Sequence, residues 1–185
     1  SGVDVRQRGP LGAQTDVSIR GGNYEQMTVL LNGINIGDPQ TGHNAFDFPV
    51  DISEIERIEI LEGPAASVYG TSSLLGAINI VTKANRTSSV TLHAASGSFG
   101  SVTSGGRINV ARGRWNNQLS GSFMRTDGYN RNKAGTLNTD FRSQKAFYQG
   151  FYDDDDLSIS WHAGLSNKDF GSSTNYSSKY DDQFE

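Results

Sequence analysis

The chain has 185 residues, room for one domain and part of a second, with 22 glycines, no cysteine and a formal net charge of -4. Average usage is about 7% glycine, so glycine is strongly enriched; the acidic balance offers no field for a phosphate backbone and sets nucleic acid aside as a partner. Without cysteine, disulfide frameworks and thiolate metal sites are excluded, and no apolar run approaches the roughly 20 residues of a transmembrane helix.

In chain order, Val3 and Val5 alternate with Asp4 and Arg6, and Val17 and Ile19 alternate with Ser18 and Arg20. Both runs end at glycine and predict half-buried strands. Asn32-Gly33 lies between two apolar runs and predicts a type I′ hairpin, because both central residues tolerate positive φ. Residues 37–49 have no period and are rich in Gly, Pro, Asn and Asp, which predicts a loop. Ser53 and Glu56 have capping-box spacing, with room for at most one helical turn before the next strand. Over 55–61, Ile58 and Ile60 alternate with Arg57 and Glu59, the pattern of a strand with one buried face. Gly63-Pro64 breaks it, 65–69 allows a short helix capped by Gly70, and after Gly76 the residues Ile78 and Ile80 oppose Asn79 in a return strand.

Composition shifts at 84–87, and alternating segments of roughly ten residues follow, the length of a tilted membrane-crossing strand. Val90, Leu92 and Ala94 form one face; Ile108 and Val110 alternate with Arg107 and Asn109; Leu119, Gly121 and Phe123 alternate with Ser120, Ser122 and Met124. The cleanest case is Leu157, Ile159, Trp161, Ala163 and Leu165 against Ser158, Ser160, His162, Gly164 and Ser166, with Ile159 expected near mid-membrane. Around 145–152 the aromatics Phe147, Tyr148, Phe151 and Tyr152 occupy both faces, as at an aromatic girdle. The connections 112–116 and 153–156 are short, whereas 127–140 and the segment after Asn167 are longer and polar. Periodicity alone fits a soluble antiparallel sandwich with one wet face equally well.

Catalysis has no candidate site. His43, His93 and His162 belong to no metal array, with His93 and His162 on the polar strand faces; the acidic run 153–156 lacks the spacing of a calcium loop; Gly63 and Gly70 are too far apart for a phosphate-binding loop. No hydrolase constellation is present. No metal site and no cofactor are expected.

The pieces Ile19-Arg20-Gly21, Val29-Leu30-Leu31-Asn32-Gly33, Ile55-Glu56-Arg57-Ile58-Glu59, Gly63-Pro64, Tyr69-Gly70 and the run from Gly76 to Lys83 resemble, in order and spacing, the plug domain of TonB-dependent outer-membrane receptors. The resemblance implies an α+β plug domain over 1–84, a small mixed sheet with short helices whose first strands precede Ser1. Over 85–185 it implies the first antiparallel strands of an incomplete transmembrane β-barrel. The chain then reads as a fragment of a larger receptor that imports cobalamin or a ferric siderophore and is not an enzyme. Its implied location is the outer membrane of a Gram-negative bacterium. The implied partners are TonB in the periplasm, outer-membrane lipid, a metal-chelate or cobalamin cargo, and a surface lipoprotein as an optional addition. Glu62-Gly63-Pro64-Ala65 resembles the siderophore and cobalamin branch, here of Bacteroidota type, more than the glycan importers; a surface-signalling or glycan-importing receptor of the same architecture is the alternative. The resemblance further implies cargo contacts from Gln14, Asn35, Asp38, Gln40, His43, Asn44 and Phe46. It implies plug–barrel contacts from Arg20, Arg57, Glu59 and Glu62, with Arg20 and Arg57 on adjacent strands.

Overall fold

The computed structural model describes residues 2–7, 15–19, 21, 26–36, 48–63, 75–129, 139–171 and 182–184. The chain divides into two units, one made of 1–8, 14–48 and 52–83, the other of 9–13, 49–51 and 84–185.

The first unit holds two sheets. β1 (Val3–Gln7) and β2 (Thr15–Ile19) pair antiparallel, with Val5 opposite Val17. A four-stranded mixed sheet has the order β4-β3-β6-β5, built from β3 (Met27–Leu31), β4 (Ile34–Asn35), β5 (Ile55–Glu62) and β6 (Gly76–Thr82). β6 runs parallel to β3 and antiparallel to β5. Every residue of β3 is buried, as a central strand covered on both faces requires. The core gathers Val29, Leu30, Leu31, Ala77, Ile78 and Ile80, each at most 4% exposed. Asn32 at φ 51° and Gly33 at φ 81° form the predicted hairpin turn. Gly76 admits no side chain, since a Cβ there would run into the Leu61 carbonyl oxygen.

Two expectations are corrected in this unit. Ile58 and Ile60 do not form a buried face: they are 56% and 40% exposed, because β5 is the outermost strand and has a neighbour on one side only. β2, the strand just before Arg20, is not adjacent to β5, which carries Arg57, since β2 pairs with β1 in one sheet and β5 pairs with β6 in the other; Arg20 itself lies outside the described residues. Among the described residues there is no α-helix; the 3-10 turn Ile52–Glu54 passes straight into β5, which leaves no length for a longer one. The segment 65–69 lies outside the described residues.

The second unit is an antiparallel meander in the order β12-β11-β10-β9-β8-β7. Its strands are β7 (Ser89–Ser96), β8 (Val102–Arg112), β9 (Trp115–Thr126), β10 (Phe141–Asp153), β11 (Ser158–Gly171) and β12 (Asp182–Phe184). From β8 to β11 they run 11 to 14 residues, longer than the alternation alone suggested, because the ladder continues past the apolar stretch at both ends. Gly113, at φ 59°, allows the tight turn between β8 and β9.

Register then sorts the side chains into rows. Val90, Ile108, Leu119, Tyr148 and Ala163 lie side by side on one face; Asn109, Gln118, Gln149 and His162 lie side by side on the other. The first face is open, with Val90 at 66%, Leu92 at 79% and Leu165 at 77% exposed; on the second, Asn109, Gln118 and Gln149 are at most 2% exposed. Phe147 also lies on the covered face, where Pro49 sits within 2.6 Å of a Cβ built on Gly164 and Lys145 Nζ donates to the Val50 carbonyl at 3.5 Å.

Candidate functional site

Along β5 and β6 a chain of polar contacts runs from strand edge to hairpin turn. Arg57 Nε donates to Glu59 Oε1 at 2.8 Å and its guanidinium also reaches Glu56 at 3.1 Å. The other Glu59 oxygen accepts from Asn79 Nδ2 at 2.8 Å, and Asn79 Oδ1 accepts from the Gly33 backbone N–H at 2.9 Å. Beside this chain, Asn32 Oδ1 accepts from the Thr82 backbone N–H and Asn32 Nδ2 donates to Thr82 Oγ1, both at 2.9 Å. Asn32 thus has two roles. It supplies the left-handed turn conformation and ties the turn to the end of β6.

The electrostatics follow from those contacts. The Asn79 hydrogen bond, seconded by Arg57, holds the Glu59 carboxyl below the ordinary carboxylate range, and Glu59 in turn raises the Arg57 guanidinium above its usual value. Both groups are exposed, so the ion pair itself is a modest contributor. Just past β6, Lys83 donates through its backbone N–H to the Glu54 carbonyl at 2.8 Å and through Nζ to the Ser53 carbonyl at 2.6 Å, which fixes the chain as it leaves the sheet.

Of the residues assigned to cargo, Asn35 is exposed on β4 opposite Leu30; Gln14, Asp38, Gln40, His43, Asn44 and Phe46 lie outside the described residues. Of those assigned to plug–barrel contacts, Arg57 and Glu59 are brought together. Glu62 closes β5 opposite Gly76 with only its backbone described, and Arg20 lies outside. Sequence reasoning missed Asn79 and Thr82 as partners. The available signal was Asn79 itself, a carboxamide interrupting an apolar strand.

In the second unit, aromatic rings gather where β8, β9, β10 and β11 meet their short turns. Trp115 stands 4.8 Å from Tyr152 and 6.1 Å from Trp161, measured between ring centroids. The Tyr148 hydroxyl donates to Asn117 Oδ1 at 2.7 Å and accepts from Trp161 Nε1 at 3.4 Å. All four rings lie on the apolar face, while Phe147 and Phe151 point the other way, so register resolves the ambiguity of this strand. Rings with one apolar and one polar end suit a boundary between hydrocarbon and water. The acidic turn holds ion pairs rather than a metal cage: Asp153 meets Arg86 and Asp154 meets Arg114, and no metal-competent cluster occurs among the described residues.

Residues 1–77 match the family described as TonB-dependent Receptor Plug Domain. By that match the chain is similar to the TonB-dependent receptors. Receptors of this kind are outer-membrane proteins of Gram-negative bacteria. The chain is 29% identical over 179 residues to the vitamin B12 transporter BtuB of Vibrio vulnificus (strain CMCP6), a match covering 92% of this chain and 29% of that protein. It is 34% identical over 125 residues to BtuB of Vibrio cholerae serotype O1, covering 61% of this chain and 20% of that protein. The chain therefore spans about 29% or less of the length of these relatives. Among solved structures, the copper transporter OprC superposes with a TM-score of 0.70 at 17% identity over 91% of this chain and 26% of that one. The pyoverdine outer membrane receptor FpvA of Pseudomonas aeruginosa PAO1 gives 0.65 at 16% identity, covering 91% of this chain and 24% of that one. At these identities the structures establish the shared fold: plug strands followed by barrel strands, mostly β.

Proposed function

We propose that this chain is the plug, residues 1–84, and the first barrel strands, 85–185, of a receptor that binds a scarce metal-chelate nutrient and imports it without covalent chemistry. Cobalamin is the favoured cargo and a ferric siderophore the next. TonB would supply the energy from the periplasm by pulling on the plug, and a single helical turn over 65–69 completes the plug in this reading. The observation that carries the proposal is the similarity to a vitamin B12 transporter, 29% identical over 179 residues and covering 92% of the chain.

Cargo would rest on Gln14, Asn35, Asp38, Gln40, His43, Asn44 and Phe46, a set with donors, acceptors and an aromatic face suited to a polar metal complex. Arg20, Arg57, Glu59 and Glu62 would hold the plug through exchangeable polar contacts, strong enough at rest and weak enough to yield to a pull. The test uses the full-length receptor in cells with labelled cyanocobalamin. Binding should survive collapse of the inner-membrane proton gradient while uptake stops. Uptake that continues without the gradient overturns active import, and strict preference for ferric chelates replaces cobalamin as the cargo.

A further inference from the structure

The segment that leads from Ala84 into β7 is held to neighbouring strands by side-chain hydrogen bonds. Asn109, 2% exposed, uses both N–H bonds of one carboxamide, donating to the Asn85 carbonyl at 2.8 Å and to the Thr87 carbonyl at 2.6 Å. Asn116 Nδ2 donates to the same Asn85 carbonyl. Ser88 Oγ accepts from the Ala111 backbone N–H at 3.0 Å and donates to the Ala111 carbonyl at 3.2 Å, imitating a ladder pair one step before the ladder begins. Arg86 adds an ion pair to Asp153 at 3.0 Å, which contributes little because its side chain is 87% exposed. The regular β7–β8 pairing starts only afterwards, at Ser89 opposite Asn109.

Ala84 and Arg86 also border a cavity of about 380 Å³ that extends to Asn116 and Phe151, so hydrogen bonds rather than close packing fix the segment on that side. A buried carboxamide that gives both N–H bonds to carbonyls of an irregular segment, its own oxygen left without a partner among the described residues, adds no bond to the ladder of the sheet. Its effect is to join residues 85 and 87 to β8.

We propose that residues 85–88, Asn109 and Asn116 form a strain-relief clamp that stops load on the plug from peeling β7 off β8. A pull on an unravelling plug reaches the barrel strands through Ala84. Without the clamp the load falls on the Ser89 end of the ladder; with it, the load meets several side-chain bonds on β8 and β9 first and they share it. Forced unfolding is governed by the rate at which such bonds give way, so the clamp sets where unravelling ends. This rests on the reading of the plug as a pulled element.

The test is single-molecule pulling on the N-terminus of the full-length receptor in a lipid bilayer, with no cargo and no TonB present. In the wild type, released length should end at residue 84 and further extension should need a higher force. In the Asn109→Asp, Asn116→Asp double variant, which keeps side-chain shape and loses the donors, residues 85–88 and the eight residues of β7 should follow at the plug-stage force, adding roughly 42 Å. Equal released length and equal force in both proteins overturn the clamp. If the double variant gives no heat-modifiable barrel, Asn116→Asp with Ser88→Ala is pulled instead; with the Asn109 bonds still in place, it should release the same extra length at a force between the plug-stage and wild-type values. Proton-gradient-dependent uptake together with unchanged released length refutes the clamp alone; gradient-independent uptake together with the extra length refutes only the import reading.

Discussion

The two units use the same alternating strand pattern and distribute their apolar residues in opposite senses. In the first, Val29, Leu30, Leu31, Ile78 and Ile80 are at most 4% exposed; in the second, Val90, Leu92, Ile108, Leu119 and Leu165 are all more than half exposed, while Asn109, Gln118 and Gln149 are at most 2% exposed. A sheet in water gains about 25 cal/mol for each square ångström of apolar surface it hides, so the first arrangement is self-sufficient. The second, left in water, would present a continuous apolar surface of the kind that marks an interaction site or an aggregation hazard. Surrounded by hydrocarbon it becomes the stable choice. The difference teaches that alternation specifies a strand with two unlike faces, and that burial tells which solvent each face meets.

The sharpest way to break that comparison is to truncate one residue type in both places. Leu30→Ala, in the plug core beside Ala77 and Leu61, should destabilise the plug by about 2–5 kcal/mol in denaturant unfolding of the full-length receptor. Leu165→Ala, on the open face, should cost much less in the same experiment, since the vacated space there fills with lipid. Equal costs would mean that the open face is covered by protein.

Charge insertion gives the next largest effect. Leu165 pairs with Ala146 near the middle of its strand, whereas Ile159, opposite Tyr152, sits level with the Trp115 cluster beside the turn. The expectation that Ile159 lies near mid-membrane is therefore replaced by Leu165. Leu165→Lys should cost roughly 2–4 kcal/mol on refolding into lipid, and Ile159→Lys or the opposite-face Ser160→Lys about 0–1 kcal/mol. A Leu165→Lys receptor that refolds as well as Ser160→Lys would reverse the assigned faces.

Much of this organisation was legible because it depends on neighbours in sequence. Asn32-Gly33 dictated its turn, and Gly76 with Ile78 and Ile80 dictated the return strand, through local backbone preference and a period of two. What failed depends on which strands meet. Ile58 and Ile60 have the pattern of a buried face, yet a strand's position at the sheet edge is decided by pairing, not by its own residues. β2, just before Arg20, and β5, which carries Arg57, were read as neighbours and lie in different sheets for the same reason. Phe147 and Tyr148 pointed to both faces until register with β9 and β11 separated them. Composition predicts a loop over 37–49, of which 37–47 lie outside the described residues.

Asn32 separates local from pairing effects within the plug. Asn32→Gly keeps the left-handed turn and removes the bonds to Thr82, leaving a part-buried strand-end N–H without its acceptor, so it should destabilise the plug by about 1–3 kcal/mol. Thr82→Val keeps that backbone bond and loses only the hydroxyl contact; it should cost less. Unfolding of the two variants by denaturant compares them, and equal losses would assign the effect to the hydroxyl rather than to the turn.

The smallest expected effect lies in the polar chain on β5. Glu59 has its carboxyl pKa lowered in the folded plug, first by the Asn79 hydrogen bond and then by Arg57. A carboxyl depressed on folding contributes stability that is fully present above its unfolded value and is lost as pH falls through the folded value. The contribution is small because the groups are exposed and screened. Acidification from neutral pH through the carboxylate range should therefore weaken the tie between β5, β6 and the hairpin turn, and Glu59→Gln should flatten that part of the pH dependence while keeping a hydrogen-bond acceptor for Asn79. Hydrogen exchange of the Gly33 amide, which donates to Asn79, reports the change directly: in the wild type its protection should fall with acidification more than that of the neighbouring Asn32 amide, which is held by the Ile80 carbonyl. A Glu59→Gln variant whose Gly33 protection falls with pH as steeply as the wild type would assign the titration to another carboxylate and detach Glu59 from the turn.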